Sequence, residues 1–243
     1  MFSEAQYTAV INELNSGMTS LSGQLGRVAP TINSATSHWY VMDWVADALV
    51  DCGNKLIEFG SWLLEKLGEL LEGVLAPPLF FWKAYDWHAS VGAPASAVAG
   101  NTHPSTLRAA YDWTGEAATA YTRATSTQPT AAAEIQSIST TMAVSLGICA
   151  AAGCAFYVAL GVILVKVIVA AAAAIAAFGS VVFSPAGVAI ILEEAAVSGS
   201  LVWAAIASLT ALLAAQTAQI VAMKGAASAA DAFPNGAWPV GAV

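Results

Sequence analysis

The sequence predicts an all-α fold: an elongated helical bundle with a helix–turn–helix at Trp113-Thr114-Gly115 and a long, very hydrophobic helical hairpin behind it. Three observations carry this. Apolar residues recur in steps of three and four along the first quarter of the chain, the spacing of one helix face. No alternating strand pattern of useful length occurs. Between Glu134 and Asp231 the only charged residues are Lys166, Glu193, Glu194 and Lys224.

Residues 3–28 read as an amphipathic helix. Tyr7, Ile11, Leu14, Met18, Leu21, Leu25 and Val28 alternate in steps of four and three. That heptad seam suits packing along another long helix. Gly17, Gly23 and Gly26 weaken such a helix by about 1 kcal/mol each relative to Ala, so it needs its neighbours. Pro30 is expected to end it, with a polar linker over 31–38.

A second helix is expected from Trp39 to Leu75. Leu49, Cys52, Leu56, Phe59, Leu63, Leu67, Leu70 and Val74 form its apolar side. Asp43, Asp47, Asp51, Glu58, Glu65, Glu69 and Glu72 form its polar side. That acidic stripe is a solvated face or a docking edge. Pro77-Pro78 breaks or kinks the helix, and Phe80, Phe81, Trp82, Tyr85 and Trp87 continue it for two or three turns. Gly92, Pro94, Gly100 and Pro104 mark residues 92–106 as a loop.

A short helix, Leu107 to Asp112, leads into the central turn. The next helix starts at Glu116 and runs to Phe178, with a kink at Pro129. Residues 179–187 carry the one turn signal of the hydrophobic half, and a last helix follows from Val188 to Ala230. The expected organisation is therefore amphipathic helices over 1–102, the helix–turn–helix over 103–142, the hydrophobic hairpin over 143–230 and a flexible tail over 231–243.

Composition narrows the function classes. Hydrophobic residues make up 58% of the 243 and charged residues 10%, against roughly 45–50% and about 25% in an ordinary globular chain. The hydrophobic half cannot cover itself with charge, so it must face lipid, a partner or another part of the chain. A net charge of −8 with scattered basic residues argues against nucleic acid and against a polybasic membrane anchor. The N-terminus has no positive region and no early apolar run, so no Sec signal peptide is expected. Cys52, Cys149 and Cys154 have no disulfide or metal spacing, and neither do His38, His88 and His103. No catalytic set, phosphate loop or dinucleotide glycine pattern is present. No enzyme activity, metal or cofactor is therefore expected.

Residues 135–165, 167–192 and 195–223 are uncharged runs, each longer than the roughly 20 residues that span a bilayer. Lys166 has no turn residues around it, so the first two runs belong to one helix. Two arms of about 36 residues, roughly 54 Å each, either tilt or enter lipid in part. Lys166 lies further from the turn than Glu193 and Glu194 do. If these intramembrane charges pair, the partner is in another chain. Otherwise the glutamates lie near the membrane surface, and Lys166 faces a bundle interior or a water-filled lumen. The same Ala-rich arms could also pack as a soluble bundle.

Around the central turn, Trp113, Gly115, Ala117, Ala118, Ala120, Tyr121, Gln128 and Ala131 follow a distinct spacing. Gly115 supplies a backbone conformation other residues resist, Trp113 covers the junction, and the alanines admit a close neighbour. The pattern resembles the WXG-type helical hairpin of actinobacterial type VII (ESX) secretion substrates. Its setting resembles the larger EspA-like members with long hydrophobic helices. The likeness covers residues 103 to 140. It implies export without a Sec signal, self-association or a second helical WXG-type partner and, for some relatives, membrane or pore activity. The family's Tyr-x-x-x-acid export signal is absent. The expectation is a secreted, oligomerising protein that inserts its hairpin into a membrane. The alternatives are a resident envelope or secretion-apparatus component anchored by the same hairpin, and a soluble helical partner of an effector.

Overall fold

The computed structural model describes residues 3–38, 41–180 and 185–240. Within them the secondary structure is helical, with no strand. In chain order the helices are α1 (Glu4–Thr36), α2 (Asp43–Leu71), α3 (Ala76–Asp86), a π-helical turn (Trp87–Gly92), α4 (Ala93–Asn101), α5 (Ala109–Asp112), α6 (Glu116–Thr125), α7 (Gln128–Gly179) and α8 (Pro185–Ala226).

The chain divides into two compact units, Met1–Ala76 with Ala152–Thr210, and Pro77–Ala151 with Ala211–Val243. This division does not follow the sequence boundaries at 102, 142 and 230. The reason is helix length: α7 has 52 residues and α8 has 42, roughly 78 and 63 Å at 1.5 Å per residue, and each contributes one part to either unit.

In the first unit, a capping box starts α1. The Ser3 hydroxyl accepts from the Gln6 amide at 3.2 Å, and the Gln6 side chain accepts from the Ser3 amide at 2.9 Å. That arrangement satisfies two of the donors a helix start leaves open. Pro30 does not end the helix, which continues to Thr36. A proline inside a helix costs about 3 kcal/mol. The two further turns bury Ile32 and Ala35 in the core while Pro30 itself stays on the exposed side. Burying one isoleucine contributes about 1.5–3 kcal/mol, so with Ala35 and the added backbone bonds the extension is favourable. The polar linker expected over 31–38 shrinks to the few residues before Asp43.

α2 returns antiparallel to α1. Val28 and Ile32 lie against Gly53, and Leu25 against Gly60, where a Cβ would come within 2.6 Å of the leucine. α7 runs with α1: Tyr7 meets Tyr157 edge-on, Leu164 sits over Gly17, and Thr31 lies near Gly179. α8 runs with α2, with Phe59 and Trp62 against Gly199 and Trp62 against Trp203. The core between these helices includes Leu14, Leu21, Val28, Leu49, Leu63, Leu67, Leu160, Leu164, Phe178 and Val202. Two buried hydroxyls tie helix ends together. Tyr7 donates to the Val74 carbonyl at 2.6 Å and Tyr157 to the Leu70 carbonyl at 2.8 Å. Burial, with Tyr157 and Cys154 adding to it, pushes the Tyr7 phenol well above the usual tyrosine range, so Tyr7 serves as a neutral donor.

In the second unit, Pro77 and Pro78 fall in the first turn of α3, where a missing N–H costs little. The break in the preceding helix lies just before them, at Glu72–Leu75. The loop expected over 92–106 is instead helical as far as Asn101. The Ser139 hydroxyl of α7 donates to the Trp87 carbonyl, and Gly92 lies against the same serine. A carbonyl released at a π-helical turn thereby gains a donor. Alternating alanines then favour helix through α4, despite Gly92, Pro94 and Gly100. Within the tail over 231–243, the chain turns at Pro234–Gly236, and Gln128 donates to the Pro239 carbonyl at 3.2 Å.

Candidate functional site

Two features stand out once the helices are in place: the Trp113–Gly115 turn in the second unit, and apolar side chains of α7 and α8 that are exposed among the described residues.

The turn joins α5 to α6. Gly115 has φ 104° and ψ −174°, a combination that costs a side chain on the order of 1–3 kcal/mol. The Gly115 carbonyl accepts from the Thr119 amide at 3.1 Å and so begins α6. Trp113 sits 6.0 Å from Tyr121, ring centre to ring centre, and stays 46% exposed. Ala118 is buried. The four turn residues singled out from sequence therefore come together. Trp113, Gly115 and Ala118, though not Tyr121, line a wide surface groove of about 630 Å³ with Thr114, Thr119, Thr122, Arg123 and Ser126. The groove is open and is lined by one cation and several hydroxyls.

The heptad residues have a different fate. Tyr7, Leu14, Leu21, Leu25 and Val28 are buried, and Ile11 and Met18 pack partly buried on the same core. Their partners are α2 and α7 of the same chain. The seam is thus occupied, and a second protein would have to use another surface.

Of the three charges expected within the membrane, Lys166, Glu193 and Glu194, two have described side chains, and both of these are exposed. Lys166 is exposed on α7 beside Glu13 of α1, not enclosed in a bundle interior. Glu193 is exposed on α8. The side chain of Glu194 lies outside the described residues, as do residues 181–184 of the expected turn. Among the described residues, ion pairs join Lys55 to Asp51, Lys66 to Glu69, Lys83 to Asp86 and Arg108 to Asp112. All four sit outside the hydrophobic half and are partly or fully open to water, so each contributes little to stability.

The apolar surface is the larger feature. α7 and α8 each contain a stretch long and apolar enough to cross a membrane. In the first unit, α7 turns one side to the core through Cys154, Phe156, Leu160, Ile163, Leu164, Val167 and Ala171. Its other side presents Val162, Val165 and Val169 to solvent. α8 is barer. Only 11% of its most apolar 18-residue window is buried, against 39% for α7. Leu201, Leu213, Ile220 and Val221 are exposed along it. Lys66 lies over the Trp203 ring, 5.6 Å from its centre, a cation drawn onto this helix by an aromatic face.

Sequence reasoning did not find the groove shared by Glu13 and Lys166, because its halves lie some 150 positions apart in the chain. Nor did it find the serine under the π-helical turn. Among the described residues no cluster of three or more His, Cys, Asp or Glu side chains is placed to hold a metal. No protein-family model, curated protein or solved structure matches the chain.

Proposed function

We propose that this chain is a non-enzymatic, membrane-associating helical protein of the WXG secretion type, exported by a type VII route and assembling into oligomers on or in a lipid bilayer. The observation that carries the membrane part is α8. It is a long helix, uncharged from 195 to 223; Val202 packs into the core, but Leu201, Leu213, Ile220 and Val221 stay exposed and only 11% of its most apolar window is buried. A contiguous apolar surface on that scale belongs to an interaction site rather than to a free surface in water. With no polybasic patch and a net charge of −8, binding rests on apolar burial, and anionic lipid adds nothing. Oligomers formed this way supply a route to a pore.

The export part rests on the spacing of Trp113, Gly115, Ala118 and Tyr121. Gly115 starts α6 and Trp113 lies beside Tyr121, which is compatible with that reading. The chain is expected in the culture medium or outer envelope of a strain with an active type VII apparatus, and to be lost from both when the secretion ATPase is deleted. Unchanged fractionation after that deletion removes export from the proposal. For the membrane part, the purified chain is expected to rise with phosphatidylcholine vesicles in a density gradient. A folded protein that stays behind overturns it.

A further inference from the structure

We propose that the groove between α1 and α7 in the first unit seats one phosphoethanolamine lipid. Its phosphate lies beside Lys166, its ammonium beside Glu13, and the first part of an acyl chain along the valines between them. The groove has a volume of about 280 Å³ and is lined by Val10, Glu13, Val158, Gly161, Val162, Val165 and Lys166. That is just below the roughly 300 Å³ at which small-molecule sites begin, and the composition resembles theirs: an apolar floor with a few polar groups that fix orientation.

Lys166 is the single charged residue between Glu134 and Glu193. A lone cation on an otherwise apolar helix needs a reason, and its position on this rim supplies one. Glu13 reaches the same groove from the other helix, yet no ion pair joins the two within 4 Å. Two exposed, opposite charges on the two rims of an apolar floor complement a zwitterion. A second negative charge on the ligand would meet Glu13, which disfavours anionic lipids. A primary ammonium offers N–H donors to the carboxylate, which a quaternary one cannot. Gly161 makes the floor accessible, since a Cβ built there meets nothing within 4 Å. The groove also opens onto the exposed strip of Val162 and Val165, the side from which a lipid would arrive.

The test is calorimetric titration of the full chain with dihexanoyl phosphatidylethanolamine kept below its micelle concentration. Saturable one-site binding is expected. Lys166→Gln and Glu13→Gln should each weaken it about tenfold, the scale of one charge-assisted contact. Gly161→Leu should abolish it by filling the floor, without lowering the melting temperature. The paired swap Lys166→Glu with Glu13→Lys should recover part of the binding lost in either single change. No saturable binding overturns the proposal, as does binding that Gly161→Leu leaves intact. Equal affinity for phosphoethanolamine without chains removes the lipid, and equal affinity for dihexanoylglycerol removes the charged pair. Because the titration uses dissolved lipid, it stands apart from the membrane reading. Vesicle binding without short-lipid binding sinks the groove alone, and the reverse sinks the membrane reading alone.

Discussion

Lysine at Leu213 should lower partitioning of the protein into neutral vesicles by about 100-fold, and lysine at Val221, near the end of the uncharged run, by less, both leaving the fold intact. The two statements have separate causes. Leu213 is 42% and Val221 67% exposed on α8, so a lysine at either place meets water in the free protein. Surface changes of that kind usually stay within about 0.5 kcal/mol. In the bilayer the same lysine costs about 2.5–3.5 kcal/mol near the centre of a helix, and 1.4 kcal/mol is about tenfold. Vesicle co-sedimentation measures the first effect and thermal melting the second. A lysine variant that binds as well as wild type, with an unchanged melt, takes α8 out of the membrane contact. Glu58→Lys on the acidic face of α2 serves as the comparison, because Glu58 is exposed and lies outside the apolar helices.

The second large effect concerns stability. Leu164→Ala should destabilise the chain by about 2–5 kcal/mol. Leu164 is 1% exposed, and it lies over Gly17, which has no side chain to move into the vacated space. The adjacent Val165→Ala, 47% exposed, should cost less than about 1 kcal/mol. Urea unfolding of the two variants in water gives both numbers. The contrast between neighbours is the informative part, because it separates a helix whose inner side is core from one that is uniformly apolar and unpacked. Equal costs would mean that α7 does not pack against α1 in solution.

These two predictions address one helix pair with two kinds of surface, and that duality was only partly legible in the sequence. Period alone identified α1 and α2, because their charges mark the outer face and leave the inner one apolar. It placed the start of α6 at Glu116, because a glycine at the junction of two helices signals its own backbone conformation. Period could not orient α7 or α8. When alanine and valine surround a helix on all sides, no face is distinguished until a neighbour is in place, and the neighbours of Leu164 lie near residue 17. Two local signals were outweighed by packing. Pro30 was overridden by the burial of Ile32 and Ala35, and the glycines and prolines of 92–104 were overridden by the Ser139 hydroxyl under the Trp87 carbonyl.

At the candidate site the same division holds. Trp113, Gly115 and Tyr121 are close in sequence and meet as spacing suggests. The heptad seam was readable as a packing surface, but its occupant was not, since either a partner or the chain's own α2 and α7 satisfies the pattern. Lys166 was readable as an anomaly within an apolar run. Its neighbour Glu13 was not, because only the fold brings position 13 beside position 166.

The central claim is that the uncovered side of α8 meets lipid. Flotation of the purified, folded chain with phosphatidylcholine vesicles tests it most directly, in parallel with vesicles containing anionic lipid. The account predicts that the protein rises with the neutral vesicles and gains nothing from added negative charge. A folded protein that remains at the bottom of the gradient, or one that rises only with anionic vesicles, would contradict it.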